Sequence, residues 1–182
     1  MAKLPKLETL SLAEYLAGEA RRTRPYEYLD GQVYPLPEES PAHAQLRHNL
    51  THLLKTPAEL EGNRFYAADT KLKIGANRVY YPDLMVVSQP SENPQYVEYP
   101  NLVVEIATWE TERTDRGEKL LMYQSIPGLV MYLIVHSERR VVEVLERGLR
   151  GNWRYEALGH DGEIELYSPQ VKLGLGEIYK GL

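Results

Sequence analysis

Residues 80–126 contain three runs that decide the fold: YYPDLMVV (80–87), NLVVEIAT (101–108) and TDRGEKLLMYQSI (114–126). The first two are apolar on both faces, the pattern of central strands covered by helices on each side. Each nevertheless carries an acid, Asp83 just ahead of LMVV and Glu105 inside LVVEIA. Burying an isolated carboxylate is strongly unfavourable unless a cation or metal compensates it. The two acids are therefore read as a site, and the rest of the chain as its support. If the strands pair antiparallel about the middle of SQPSENPQYVEYP (88–100), a symmetric register sets Asp83 opposite Glu105 or its neighbour, at one end of the sheet.

The third run predicts a helix capped by Thr114, running through Ile126 and stopped by Pro127-Gly128. On it Asp115, Lys119, Met122, Tyr123 and Ile126 share a stripe, which puts Lys119 on a partly apolar face. Downstream, LVMYLIV (129–135) predicts another buried strand, and VVEVLE (141–146) and NWRYEAL (152–158) an outer meander with turns at 148–151 and Asp161-Gly162.

Upstream, Ser11 and Glu14 form a capping box for a short helix ended by Gly18. PYEYLDGQVYPL (25–36) reads as two strands about the turn Asp30-Gly31. A helix is expected from Ala42 to Lys55, with Leu46, Leu50, Leu53 and Leu54 on one face and His43 at its edge. His48 and His52 fall on the opposite, solvated side without the Glu of a zinc-binding HExxH, so they read as a surface pair. Arg64 to Ile74 gives one or two strands, followed by a turn at GANR (75–78).

No repeat, low-complexity tract or linker interrupts the 182 residues, so one domain over 1–182 is expected. No apolar run nears the roughly 20 residues of a membrane span, and the N-terminus lacks a signal-peptide h-region. A cytoplasmic protein with no membrane partner is expected. The absence of Cys excludes disulfides, Cys-ligated zinc and thiol catalysis, in keeping with a reducing compartment. A net charge of −5 argues against a broad basic surface that coats nucleic acid, but suits a site that gathers divalent cations. Fourteen Tyr against one Phe is an unusual ratio; Tyr suits half-buried strand positions.

Two carboxylates at one sheet edge with a nearby lysine fit metal-assisted phosphodiester hydrolysis. Mg²⁺ prefers a few carboxylate oxygens and several waters, polarises the phosphate and lowers the pKa of bound water. A lysine then orients the water or steadies the transition-state charge.

At these residues the chain resembles the PD-(D/E)XK nuclease superfamily, the fold of restriction endonucleases. More closely it resembles the Uma-two family, a large bacterial branch of that superfamily. The likeness covers YEYLDGQVY, SPAHAQLRHNLTHLL, YYPDLMVV, PNLVVEIAT, TDRGEKLLMYQSIPGLVMYLIV and the terminal LGLGEIY, in the family's order. It implies an α/β (α+β) fold: a restriction endonuclease-like core whose central mixed sheet is flanked by helices, with extra β-hairpins. It further implies Asp83 and Glu105 as ligands of Mg²⁺ or Mn²⁺, and Lys119 as the catalytic cation. The superfamily's usual lysine position, two after the acid, is Ala107; the Uma-two family carries the lysine on the following helix, where Lys119 stands. Glu27 and Asp115 match further acidic positions of the family. The family's Ser-Pro after the Glu strand is here Thr108-Trp109, and its Trp-Leu-Val-Asp strand end is here replaced by a run closing in His136.

The expected function is a metal-dependent endonuclease acting on DNA as a homodimer, since two strands are often cut by two copies of one site. The alternative is a catalytically silent protein of the same fold that binds nucleic acid or a protein partner, a reading favoured by the acidic balance, Ala107 and Trp109. A small-molecule hydrolase has little support, because no Gly-x-Ser-x-Gly elbow, Walker loop or dinucleotide fingerprint is present.

Overall fold

The computed structural model describes residues 9–19, 21–89 and 91–182. In chain order the elements are α1 (Leu12–Glu19), β1 (Tyr26–Leu29), β2 (Gln32–Pro35), α2 (Pro41–Leu60), β3 (Arg64–Ala67), β4 (Leu72–Ile74), β5 (Arg78–Tyr80), β6 (Leu84–Val87) and β7 (Leu102–Ala107). There follow α3 (Glu112–Thr114), a π-helical turn (Asp115–Lys119), α4 (Leu120–Gln124), β8 (Met131–His136), β9 (Val141–Arg147), β10 (Trp153–Gly159), β11 (Glu163–Tyr167), β12 (Gln170–Gly174) and α5 (Leu175–Ile178).

The central sheet has the order β10-β9-β8-β7-β6-β3 and is mixed, because β7 and β8 run parallel while its other neighbours are antiparallel. A four-stranded sheet, β2-β1-β5-β4, and the hairpin β11-β12 complete the architecture. The mixed α+β class expected from the sequence is the one observed. β6, β7 and β8 are buried along their whole length, because both faces are covered. On one face Leu46, Leu50, Leu54 and Ala58 of α2 pack with Val104, Ile106, Leu133 and Val135. On the other, Tyr123 of α4 and Leu72 and Tyr80 of the smaller sheet pack with Val103, Ala107, Tyr132 and Ile134. Strand alternation thus turns Glu105 toward the second face, the one covered by the 112–124 helix.

Local chemistry accounts for most boundaries. Ser11 and Glu14 close the capping box at α1, with Ser11 N donating to Glu14 Oε2 at 2.8 Å, and the helix runs one residue past Gly18. Asp30 and Gly31 turn β1 into β2 with φ of 50° and 92°, the left-handed pair a two-residue hairpin requires. A Cβ on Gly31 would stand 2.8 Å from Thr9 Cβ, so that position also needs glycine for space.

Two helices differ from expectation. α2 does not stop at Lys55 but continues through Pro57 to Leu60. Proline inside a helix costs about 3 kcal/mol, but the extra turn buries Ala58 completely against the core. The helix expected from Thr114 starts at Glu112 instead, and Thr114 makes no side-chain capping bond. Its entry is organised by Thr108, whose carbonyl accepts from Thr111 N and Glu112 N at 3.2 and 2.9 Å. Pro90, in the loop between β6 and β7, lies outside the described residues, as does most of the N-terminal stretch read for a signal sequence. Among the described residues no helix is long and apolar enough to cross a membrane.

Replacing Leu50, fully buried in α2, with Ala is expected to cost about 2–5 kcal/mol. His52→Ala on the exposed side of the same helix is expected to change stability by less than about 0.5 kcal/mol. Urea unfolding of the two variants measures both.

Candidate functional site

The β6–β7 register places Leu84 opposite Val104, so the next pair outward is Asp83 and Glu105. Asp83 Oδ2 accepts a hydrogen bond from Ile106 N at 2.7 Å, which fixes the carboxylate against β7. Its Oδ1 meets His43 Nε2 at 3.1 Å, and the other ring nitrogen of His43 meets Glu39 at 2.9 Å. His43 thus reaches the site from the first turn of α2, where Ser40 Oγ accepts from its backbone N–H. Burial works against a charged imidazole here, but the bonds and charges of Asp83 and Glu39 outweigh it and raise the His43 pKa.

Lys119 Nζ donates to Glu105 Oε1 at 3.1 Å and lies 3.3 Å from both Glu27 Oε1 and Asp115 Oδ1. The three expected residues therefore lie in one pocket, with Lys119 joined to Glu105 and Asp83 beside them. Its lining, about 130 Å³ in volume, includes Asp83, Glu105, Asp115, Lys119, His43 and Thr108. A wider depression of about 390 Å³ adjoins it, shares Asp83, Tyr81 and Arg47, and adds Arg24.

The π-helical turn explains how one helix brings Asp115 and Lys119 to this pocket and Tyr123 to Glu105. Eight residues of regular α-helix would rotate Tyr123 about 80° away from Asp115. One widened turn takes up that drift, and such turns recur at functional sites. Asp115 and Lys119 are both buried as a result, and Tyr123 OH donates to Glu105 Oε1 at 2.5 Å.

Burial is the main reason the Glu105 carboxyl is pushed up to about 8. The Lys119 charge works against this shift, Asp115 and Asp83 reinforce it, and the Tyr123 bond lowers it again. Burial disfavours the Lys119 ammonium too, but Glu105, Glu27 and Asp115 overcome that penalty and hold its pKa well above the ordinary lysine value. Lys119 is a fixed cation.

The donor set fits a divalent ion. Four carboxylates, Asp83, Glu105, Asp115 and Glu27, face one lysine and one histidine, a surplus of negative charge in a partly dry pocket. Glu27 Oε1 and Asp115 Oδ1 are buried with no partner but the Lys119 ammonium at 3.3 Å among the described residues. A tighter grouping of metal-ligating side chains lies nearby: Glu112, His136 and Glu143 have ligand atoms within 4.8 Å of one another. That group is already compensated. Arg116 donates to Glu143 at 2.7 Å, pairs with Glu112 and, with His136, keeps the Glu143 pKa low against the effect of burial; Arg139 holds Glu112 at 2.7 Å. Two guanidinium groups leave no net charge there for an ion, so the Asp83–Glu105 pocket is the better candidate.

Residues 12–175 match the family described as "Uma2: Putative restriction endonuclease". The chain belongs to the Uma2 family. Two curated relatives from Synechocystis sp. strain PCC 6803, both named as uncharacterized proteins, agree with this. One is 31% identical over 184 residues, covering 100% of this chain and 95% of the relative. The other is 30% identical over 164 residues, covering 86% and 92% respectively. A solved structure described as "a putative nuclease belonging to DUF820 from Anabaena variabilis" superposes with a TM-score of 0.74 at 15% identity, over 93% of this chain and 97% of that one. At that identity the Uma2 chain shares its fold with the Anabaena protein.

Glu27 and Asp115, which the sequence offers only as further acidic positions of the family, both contact Lys119 directly. Glu27 stands between Tyr26 and Tyr28 on a short strand, where alternation signals one buried face but not the partner across it. Glu39, which pairs with both His43 and Arg47, left no readable signal in its loop.

A carboxyl whose folded pKa is raised stabilises the fold below its unfolded pKa of about 4.5 and loses that contribution as pH rises through about 8. Metal-free protein should therefore lose thermal stability between pH 5 and 8. Glu105→Gln should flatten the slope, leaving the smaller part due to His43, as melting curves across this range would show.

Proposed function

We propose that this Uma2 chain is a divalent-metal-dependent nuclease that hydrolyses phosphodiester bonds, with DNA as its substrate. The observation that carries the reading is the Lys119 ammonium held among Glu105, Asp115 and Glu27 beside Asp83, on the wall of an open cleft. Asp83 and Glu105 hold Mg²⁺ or Mn²⁺. When bound, the ion supplies charge stabilisation at the phosphate and a more acidic water.

Lys119 keeps its proton throughout, so its role is to stabilise negative charge on the phosphate and to orient the attacking water, not to remove a proton. Tyr123, whose burial raises its pKa well above the ordinary value, remains a donor and fixes the Glu105 rotamer. Asp115 and Glu27 position the ammonium. His43 orients Asp83 from the far side. Two strands of a duplex require two such sites, which a second copy of the chain supplies in a homodimer, and a DNA substrate places the enzyme in the bacterial cytoplasm.

One observation favours a silent protein of the same fold. The threefold pairing of Lys119 compensates part of the carboxylate charge without any ion.

Purified protein should cleave plasmid DNA with Mg²⁺ or Mn²⁺ and not with EDTA. Lys119→Met and Glu105→Ala should each lower the rate by about 10²-fold or more. Mn²⁺ titration by calorimetry should give saturable binding that Asp83→Asn weakens. Folded protein that neither binds Mn²⁺ nor cuts DNA or RNA would rule the nuclease out in favour of the silent form.

A further inference from the structure

We propose that Trp109, clamped by Arg139 at the rim of the pocket, is a stacking platform for an unpaired nucleobase, so that the chain engages single-stranded or locally opened nucleic acid. The choice of ligand rests on the nuclease reading above. Trp109 is 64% exposed, although it follows the fully buried end of β7 by two residues. An indole in water at such a place is not explained by the core, which it does not enter.

Its presentation is rigid. Thr108 N donates to Thr111 Oγ1 at 3.0 Å, and Thr108 Oγ1 accepts from Glu110 N and Thr111 N, both at 3.3 Å. Both threonines line the pocket that holds Asp83 and Glu105, so the turn carrying Trp109 forms part of its rim. The Arg139 guanidinium lies 5.0 Å from the indole centroid and is itself fixed by Glu112 at 2.7 Å. Glu112 belongs to the ion-paired group of Arg116, His136 and Glu143. That network, which the hydrolytic reading leaves without a task, thus fastens Arg139 beneath the indole.

An aromatic ring backed by a guanidinium is the chemistry that holds a base: the base stacks on the open face of the ring, and the guanidinium on the other face strengthens the stack. In an intact duplex the bases are covered by their neighbours, so the platform favours a strand whose bases are free.

The test reads binding and not cleavage, so it stands or falls separately from the hydrolytic mechanism. In EDTA, a Trp153→Phe background leaves Trp109 as the sole tryptophan, because the chain has two. Its emission should be quenched by a twelve-nucleotide single strand, but not by a sugar–phosphate oligomer of equal length lacking bases. Anisotropy with the labelled strand should show affinity falling about tenfold or more in Trp109→Ala and largely kept in Trp109→Phe. DNA and RNA strands are run in parallel to identify the preferred sugar. Unchanged affinity in Trp109→Ala, or equal binding of the baseless oligomer, would overturn the proposal. Plasmid cleavage that survives Trp109→Ala alongside such a result would leave the nuclease reading intact.

Discussion

The contact of the buried Lys119 ammonium with the Glu105 carboxyl is the constraint around which this molecule is built. It spans 3.1 Å between the crossover helix and the central strand, and the same ammonium reaches Glu27 on the smaller sheet. One cation therefore ties together three elements that are far apart in sequence. Removing one partner of such a buried pair commonly costs about 3–5 kcal/mol, because the other charge is left uncompensated. Several carboxylates are left here, so the cost falls on fold and chemistry together.

Tyrosines complete the arrangement. Tyr80, Tyr123 and Tyr132 meet edge to face, with centroids 5.7 and 5.0 Å apart, and fill the space beneath the pocket. Tyr123 OH ends on Glu105, and Tyr132 OH on the Asp115 carbonyl at 3.1 Å. Elsewhere Tyr15 OH reaches the Tyr26 carbonyl, Tyr28 OH the Leu10 carbonyl, and Tyr179 OH the His136 carbonyl. Phenylalanine would supply the packing but leave these acceptors unpaired, which gives the high ratio of Tyr to Phe a physical reason.

Topology puts the lysine where it is. β7 and β8 are parallel, so the chain must cross over the sheet between them, and the 112–124 helix is that crossover. It packs on the face that Glu105 occupies by strand alternation. A lysine two residues past Glu105 would be on the same face; Ala107 stands there instead, fully buried, and the crossover helix brings Lys119 to Glu105 across that face.

The sequence by itself determined the central strands β6, β7 and β8, the acids at them and the lysine stripe, because apolar periodicity and a misplaced charge are local signals; it left β5, the β11–β12 hairpin and α5 unread. It offered the symmetric β6–β7 register only as one possibility, because a 13-residue loop does not fix register and strands apolar on both faces carry no alternation to pin it; the fold decided it. Tertiary structure alone decided that α2 continues through Pro57, that the helix starts two residues before Thr114, and that a π turn aligns Asp115 with Tyr123. Each depends on contacts with distant residues: a core that receives Ala58, a threonine turn at the end of β7, and an acid to be reached across the sheet. The pairing of Glu27 with Lys119 belongs to the same class, because an ion pair between two sheets is fixed by how they pack, and no spacing along the chain encodes it.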